Sequence, residues 1–308
     1  MSTRERKTFR PNDPLAAGLP DHHCVAITRT EPQLREDLTS TAYGCRFGPG
    51  CVENARRRSV LPGAVSQIRS SRSGKNMSCE ILQNHRQNFA ARRRLRADGT
   101  SFAKGPWIRY PIARKFAPPL VIGDSRKSWD LLWMLDKIGL TNTNKVVLDV
   151  GAFRSEILAI LTTKGFGSAF GVDLAFPAHS PMGAKLLAAD MMRTPFKANA
   201  FDYVTAVSVI EHGFDRRELL SEIARILRPG GSFLASFDYW PEKIDTSDTP
   251  LFGLPWNIFS RQEVEEFFLD ARTHGLLAAG PISLDAAKRP ILFENRRYTF
   301  GVLELVKQ

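Results

Sequence analysis

At 308 residues with 43% hydrophobic side chains, the chain is long enough for one large domain or two small ones, with a real core. No apolar run approaches the length that spans a bilayer, and the leading MSTRERKTFRPNDP lacks the apolar stretch of a secretory signal, so a cytoplasmic setting is expected. The formal charge of +11 is uneven: residues 1–115 hold 22 Lys+Arg against 9 Asp+Glu, while the rest is near neutral, so global charge alone does not indicate a nucleic-acid substrate.

Residues 1–105 show no sustained period of 2 or 3.6 and carry Arg56-Arg57-Arg58 and the run Arg92-Arg93-Arg94-Leu95-Arg96. Low hydrophobicity with high charge leaves too little apolar surface to offset ordering entropy, so a disordered basic extension is expected. Its arginines suit a nucleic acid or an anionic membrane. His22, His23, Cys24, Cys45 and Cys51 fit no common zinc spacing, and no metal is expected.

Order is expected to begin at Pro106, giving a domain over 106–308. Asp124 or Ser125 can cap a helix whose apolar face is Trp129, Leu132, Trp133 and Leu135, ended by Gly139. The valine-rich run 145–150 reads as a buried parallel strand turning at Gly151. Ile157, Leu158, Ile160 and Leu161 recur at helical spacing, and 169–172 forms a second strand with Asp173 at its tip. An acid at that tip can accept two ribose hydroxyls.

A dinucleotide-binding glycine pattern counted from Gly151 meets Phe153 and Glu156, a bulky ring and a carboxylate where a pyrophosphate would approach. A cofactor without phosphates is less demanding. With Asp149, Gly151 and Asp173, the stretch resembles the first motif of the class I S-adenosylmethionine-dependent methyltransferases, with Phe153 and Ser155 in place of the second and third glycines.

Residues 185–189 read as a third strand ending at Asp190. The fourth, FDYVTAV from Phe201, runs into Ser208-Val209-Ile210-Glu211-His212. Asp215 and Glu218 start a helix with a buried stripe of Leu219, Leu220, Ile223, Ile226 and Leu227. Arg228-Pro229-Gly230-Gly231 leads into a fifth strand, 232–237. The IEH after strand four and the LRPGG before strand five resemble the ubiquinone- and menaquinone-type methyltransferases.

The resemblance implies an α/β fold: a Rossmann-like seven-stranded sheet, parallel with an antiparallel last strand, helices on both faces, and a closing hairpin built from Ile282 with its neighbours and from 298–306. It implies S-adenosylmethionine as cofactor, with contacts at Asp149, Gly151, Ala152, Phe153, Asp173, Leu174, Asp190, Met191 and Ser208, and in-line transfer to an acceptor. A proline-proline-aromatic motif after strand four, common in methylation of base amino groups, is missing. No cysteine follows Cys79 to serve pyrimidine C5 chemistry, so a small-molecule acceptor is expected. His212 is the candidate base, with Glu211 beside it. The aromatic loop 239–259 is expected to close over the acceptor, with Tyr239 and Trp240 as its wall and Trp256 as a stacking surface. Two alternatives stand: a degenerate, non-catalytic binding domain, and a nucleic-acid-associated protein acting through the basic tail.

Overall fold

The computed structural model describes residues 77–100, 124–153, 155–176, 184–251 and 253–308. These lie in one compact unit, Ser73–Gln308. The tail up to residue 76, the proline-rich lead-in 101–123 and the zinc reading of His22 to Cys51 fall outside the described residues.

Among the described residues nine strands form one sheet, ordered β1-β9-β6-β5-β2-β3-β4 along its main path, with β7 and β8 also on β9. The strands are β1 (Cys79–Ile81), β2 (Val147–Val150), β3 (Ala169–Asp173), β4 (Lys185–Ala188), β5 (Phe201–Val207), β6 (Leu227–Tyr239), β7 (Leu276–Leu277), β8 (Ile291–Phe293) and β9 (Arg296–Lys307). Strands β4, β3, β2, β5 and β6 run parallel, and β9 lies antiparallel on β6, as the Rossmann-like expectation requires.

Both sheet faces are covered, which is why the central strands read as continuous apolar runs. Leu148 and Val150 pack toward α4 (Arg216–Ile226) and α5 (Arg261–Thr273). Val147 packs toward α1 (His85–Ala97), α2 (Ser128–Ile138) and α3 (Glu156–Thr163). The caps follow local sequence: Asp215 starts α4, and a reciprocal Ser260–Glu263 box starts α5. Among the described residues no helix is long and apolar enough to cross a membrane.

The boundary at 106 is corrected. Residues 77–100, assigned by sequence to a disordered extension, supply an edge strand and a capped helix. β1 pairs with β9, Cys79 against Leu303, and Asn84 with Gln87 forms a capping box on α1. Leu82 and Leu95 are buried, and α1 docks on α2 through Asn88, which receives the Trp129 N–H and donates to the Ser125 carbonyl. Arginines on the outer face of α1 hide this short apolar stripe from a composition argument.

The expected closing hairpin is also corrected. β8 and β9 do form an antiparallel hairpin, but Ile282 makes only an isolated parallel bridge to Cys79. Strand β1, from the N-terminal side, is inserted between Ile282 and β9. The Ser78 N–H reaches the Pro281 carbonyl at 2.8 Å, and the Ser283 N–H reaches the Cys79 carbonyl at 3.1 Å.

Candidate active site

The carboxyl ends of β2, β3 and β5 bring the first group of residues together. Gly151 follows β2 with φ 72°, and a Cβ there would lie 2.3 Å from Val209 Cγ2, so only glycine fits this turn. Asp149 beneath it is buried and accepts from Thr205 Oγ1 at 2.6 Å. Burial pushes its carboxyl up to about 7, against hydrogen bonds from Ser155 and Thr205.

The two departures from the glycine pattern have structural reasons. Ser155 is the N-cap of α3, its Oγ accepting from the Leu158 N–H at 3.1 Å. The Phe153 N–H donates to Asp173 Oδ2 at 2.9 Å, and the ring is 38% exposed at the rim. The other oxygen, Asp173 Oδ1, is held only loosely by the Ala175 N–H at 3.4 Å. Burial raises the Asp173 carboxyl, with the amides of Ala175, Phe153 and Leu174 working the other way. Ala152 is buried with its N–H on the Val172 carbonyl, while the Leu174 side chain is exposed beside Asp173.

One strand further out, the Ala189 N–H bonds the Asp173 carbonyl at 2.9 Å, placing Asp190 at the tip of β4. The exposed Asp190 carboxylate closes a turn onto the Met192 N–H at 2.8 Å, and Met191 is half-buried. Ser208 ends β5 with φ 53°, an uncommon conformation for a residue with a side chain, and its N–H donates to Ser236 Oγ at 3.1 Å.

Beyond Ser208 the chain enters a second, enclosed group. Glu211 is 1% exposed, and burial, with Asp238 beside it, pushes its carboxyl up to about 8. Burial lowers His212, which is therefore a neutral imidazole at pH 7. Asp238 on β6 accepts from Trp256 Nε1 at 2.9 Å. Lys127, just before α2, places Nζ 3.4 Å from Asp130 Oδ2, 3.6 Å from Asp238 Oδ1 and 3.3 Å from the Phe300 ring centroid. Burial opposes the Lys127 charge, but Asp130, Asp238 and Glu211 outweigh it and raise the ammonium. Asp130 is pushed up to about 6 by burial, against Lys127 and Ser236.

Sequence reasoning missed Lys127, Asp130 and Asp238. A lone aspartate inside the apolar run FLASFDY is the signal that marks Asp238; nothing in the sequence marks Lys127.

The acceptor wall needs correction. Tyr239 is fully buried, with its hydroxyl on the Leu284 carbonyl at 2.7 Å, because its position in β6 faces the helix layer. Trp256 is 3% exposed, edge-packed by Phe293 and Tyr298, so its faces are taken by the protein. Trp240 is half-buried and stacks under Arg289, whose Cζ lies 4.1 Å from the ring centroid. The loop is a bonded strap: its bridges pair Ile244 with Ile258 and Trp256 with His212, and the Asn257 N–H holds the Glu211 carbonyl at 2.9 Å.

Residues 148–235 match the family described as "Methyltransferase domain". The strand order and the Gly151 turn agree with the class I, S-adenosylmethionine-dependent form of that domain. Among solved structures the chain is similar to geranyl diphosphate C-methyltransferase from Streptomyces coelicolor A3(2), with 18% identity, TM-score 0.46, and 59% of this chain and 81% of that one covered. It is also similar to a phosphoethanolamine N-methyltransferase from Haemonchus contortus, with 17% identity, TM-score 0.45, and 57% and 52% covered. Such distant likenesses say nothing of the acceptor.

Proposed function

We propose that the chain transfers a methyl group from S-adenosylmethionine to a small-molecule acceptor by in-line displacement. The observation that carries this reading is the Gly151 turn, closed to any side chain by Val209 and set between Asp149 and the Asp173 carboxylate on adjacent strand tips. Bound S-adenosylmethionine supplies a methyl group on a good leaving group. The protein's work is therefore alignment, exclusion of water and removal of a proton where the acceptor carries one. Asp173 Oδ1 is suited to the ribose hydroxyls, Asp190 and Met191 to the adenine end, and Ser208 and Gly151 to the methionine side. His212, neutral and at the β5 tip, is suited to accept the acceptor's proton. Ser155 as a helix cap and Phe153 as an amide donor to Asp173 weigh against a degenerate, non-catalytic domain. The test is calorimetric titration with S-adenosylmethionine followed by a metabolite screen for methyl transfer. Failure to bind the cofactor would sink the reading.

A second reading, polyanion binding on the N-terminal side, is favoured by α1. Arg86, Phe89, Arg93 and Arg96 share its exposed face, and Phe89 is 63% exposed. Guanidinium groups around an exposed ring suit single-stranded nucleic acid. Salt-dependent binding of a labelled oligonucleotide, weakened by Phe89→Ala, is its test.

A further inference from the structure

Three carboxyl groups and one ammonium are shut in together beside the Gly151 turn. Asp130 and Lys127 come from the start of α2, Asp238 from β6 and Glu211 from the turn after β5; the four residues are 0%, half-buried, 5% and 1% exposed in the order Asp130, Lys127, Asp238, Glu211. Tyr298 of β9 faces the same enclosure with a hydrogen bond to Asp238, and His212 borders it as a neutral ring. The Arg126 guanidinium stays outside, tied to Asp124 at 2.8 Å, with half its side chain in solvent. Lys127 lies within 4 Å of Asp130 and Asp238, and Trp256 Nε1 bonds Asp238. Glu211 Oε2 and both Asp130 oxygens have no hydrogen-bond partner among the described residues, but Asp130 faces the Lys127 ammonium at 3.4 Å.

An enclosure of low dielectric does not hold three negative charges against one positive charge, so one acid carries a proton. The geometry selects Glu211: Lys127 lies within 4 Å of Asp130 and Asp238 but reaches Glu211 only at longer range, and the Trp256 indole serves Asp238. The turn that carries it presses on the cofactor side, since Val209, two residues earlier, blocks any Cβ on Gly151.

We propose that Glu211 exchanges its proton for the positive charge of the cofactor: S-adenosylmethionine binding drives the proton off, and methyl transfer restores it. This rests on the methyltransferase reading. In the transfer, the bond from the acceptor atom to carbon forms and the carbon–sulfur bond breaks with its electron pair left on sulfur. The site thereby loses one positive charge; the acceptor's proton is taken first by the neutral His212 ring, and the Glu211 carboxylate, no longer facing a cation, ends with it. The products are a methylated acceptor, a neutral thioether and a protonated Glu211, so the enclosure ends at the charge it had before the cofactor arrived. The upward displacement of the Glu211 carboxyl to about 8 fits a group that holds its proton until a cation comes.

S-adenosylmethionine and S-adenosylhomocysteine differ in that one charge and share every other ionisable group, so no acceptor is needed for the test. Each is titrated calorimetrically into the full-length protein in phosphate and in Tris at about pH 7.5, and the buffer dependence of the heat gives the protons released. S-adenosylmethionine is expected to release roughly half to one proton more than S-adenosylhomocysteine. Glu211→Gln abolishes the difference with both ligands still bound. Asp238→Asn, which removes the neighbouring like charge, shrinks it and serves if the first variant folds poorly. Equal proton counts for the two ligands in the wild type, or a difference that survives Glu211→Gln, overturn the inference and leave the methyltransferase reading standing. Binding of neither ligand overturns both.

Discussion

The Phe153 N–H donates to Asp173 Oδ2 at 2.9 Å, so the residue that breaks the glycine pattern also aims the acid on the neighbouring strand tip. Asp173→Ala is expected to weaken S-adenosylmethionine binding about tenfold or more, since a hydrogen bond to a charged group is worth roughly 1.5–3 kcal/mol. Titration calorimetry reads it. Unchanged affinity would remove Asp173 from the cofactor site.

Gly151→Ala should be among the costliest single-atom changes in the chain. A Cβ 2.3 Å from Val209 Cγ2 on a backbone at φ 72° combines a clash with a left-handed conformation. Together these cost about 2–4 kcal/mol. Adding Val209→Ala removes the clash but not the backbone strain, so the double variant should recover only part of the loss in urea melts. Full recovery would show that the conformation itself is costless.

A chain beginning at Ser73 should melt like the full chain, whereas one beginning at Pro106 should not, because it lacks β1 and α1. Leu95→Ala isolates the effect: the side chain is 1% exposed, and burying an alanine there instead should cost about 2–5 kcal/mol. If the shorter chain keeps a cooperative transition at the same temperature, 77–100 is an accessory to the core and not a part of it.

The enclosed acids set a pH dependence with a definite sign. Glu211 at about 8, Asp149 at about 7 and Asp130 at about 6 all lie above ordinary carboxyl values, so the native chain binds more protons than the unfolded one. Their contribution to stability is fully present below the unfolded values and is lost as pH rises through the folded ones. His212, lowered by burial, acts oppositely, and only below about its ordinary 6.5. Stability without ligand should therefore fall from pH 6.5 to 8.5, and Glu211→Gln should flatten the upper part of that fall. A profile that rises over this range, or one that Glu211→Gln leaves unchanged, contradicts the enclosure.

His212→Gln tests the base. Once an acceptor is found, single-turnover transfer should slow by about a hundredfold or more with cofactor affinity intact, as for loss of a general base. Transfer at the wild-type rate would make the imidazole a part of the cleft wall.

The central sheet was legible because its strands are buried on both faces. The valine-rich run before Gly151 and FDYVTAV from Phe201 admit few other readings, and Asp215, Ser260 and Gly139 mark helix ends by local chemistry. What failed depends on partners distant in sequence. α1 was masked by its arginines, although Asn84 and Gln87 carry a capping signal. Trp256 looked like a stacking surface because it sits in an aromatic loop; that Tyr298 and Phe293 cover it is set some 40 residues later in the chain. Asp190 follows β4 with one carboxylate oxygen on the Met192 amide and the other unspent. The charge of Lys127 became meaningful only when β6 and β9 set Asp238 and Phe300 against it.

The insertion of β1 between Ile282 and β9 bears on the order of synthesis. β1 is among the first described segments to leave the ribosome, and its hydrogen-bonding neighbours, Pro281–Ser283 on one side and Gly301–Leu303 on the other, are among the last. Until they emerge, Cys79–Ile81 has neither neighbour, and Leu82 lacks the Phe300 carbonyl that receives its N–H at 2.9 Å. The sheet edge therefore closes only after residues 281–303 have emerged. Ribosome-arrested chains ending before residue 296 should leave the bond after Ile81 open to protease, and release of the full-length chain should protect it.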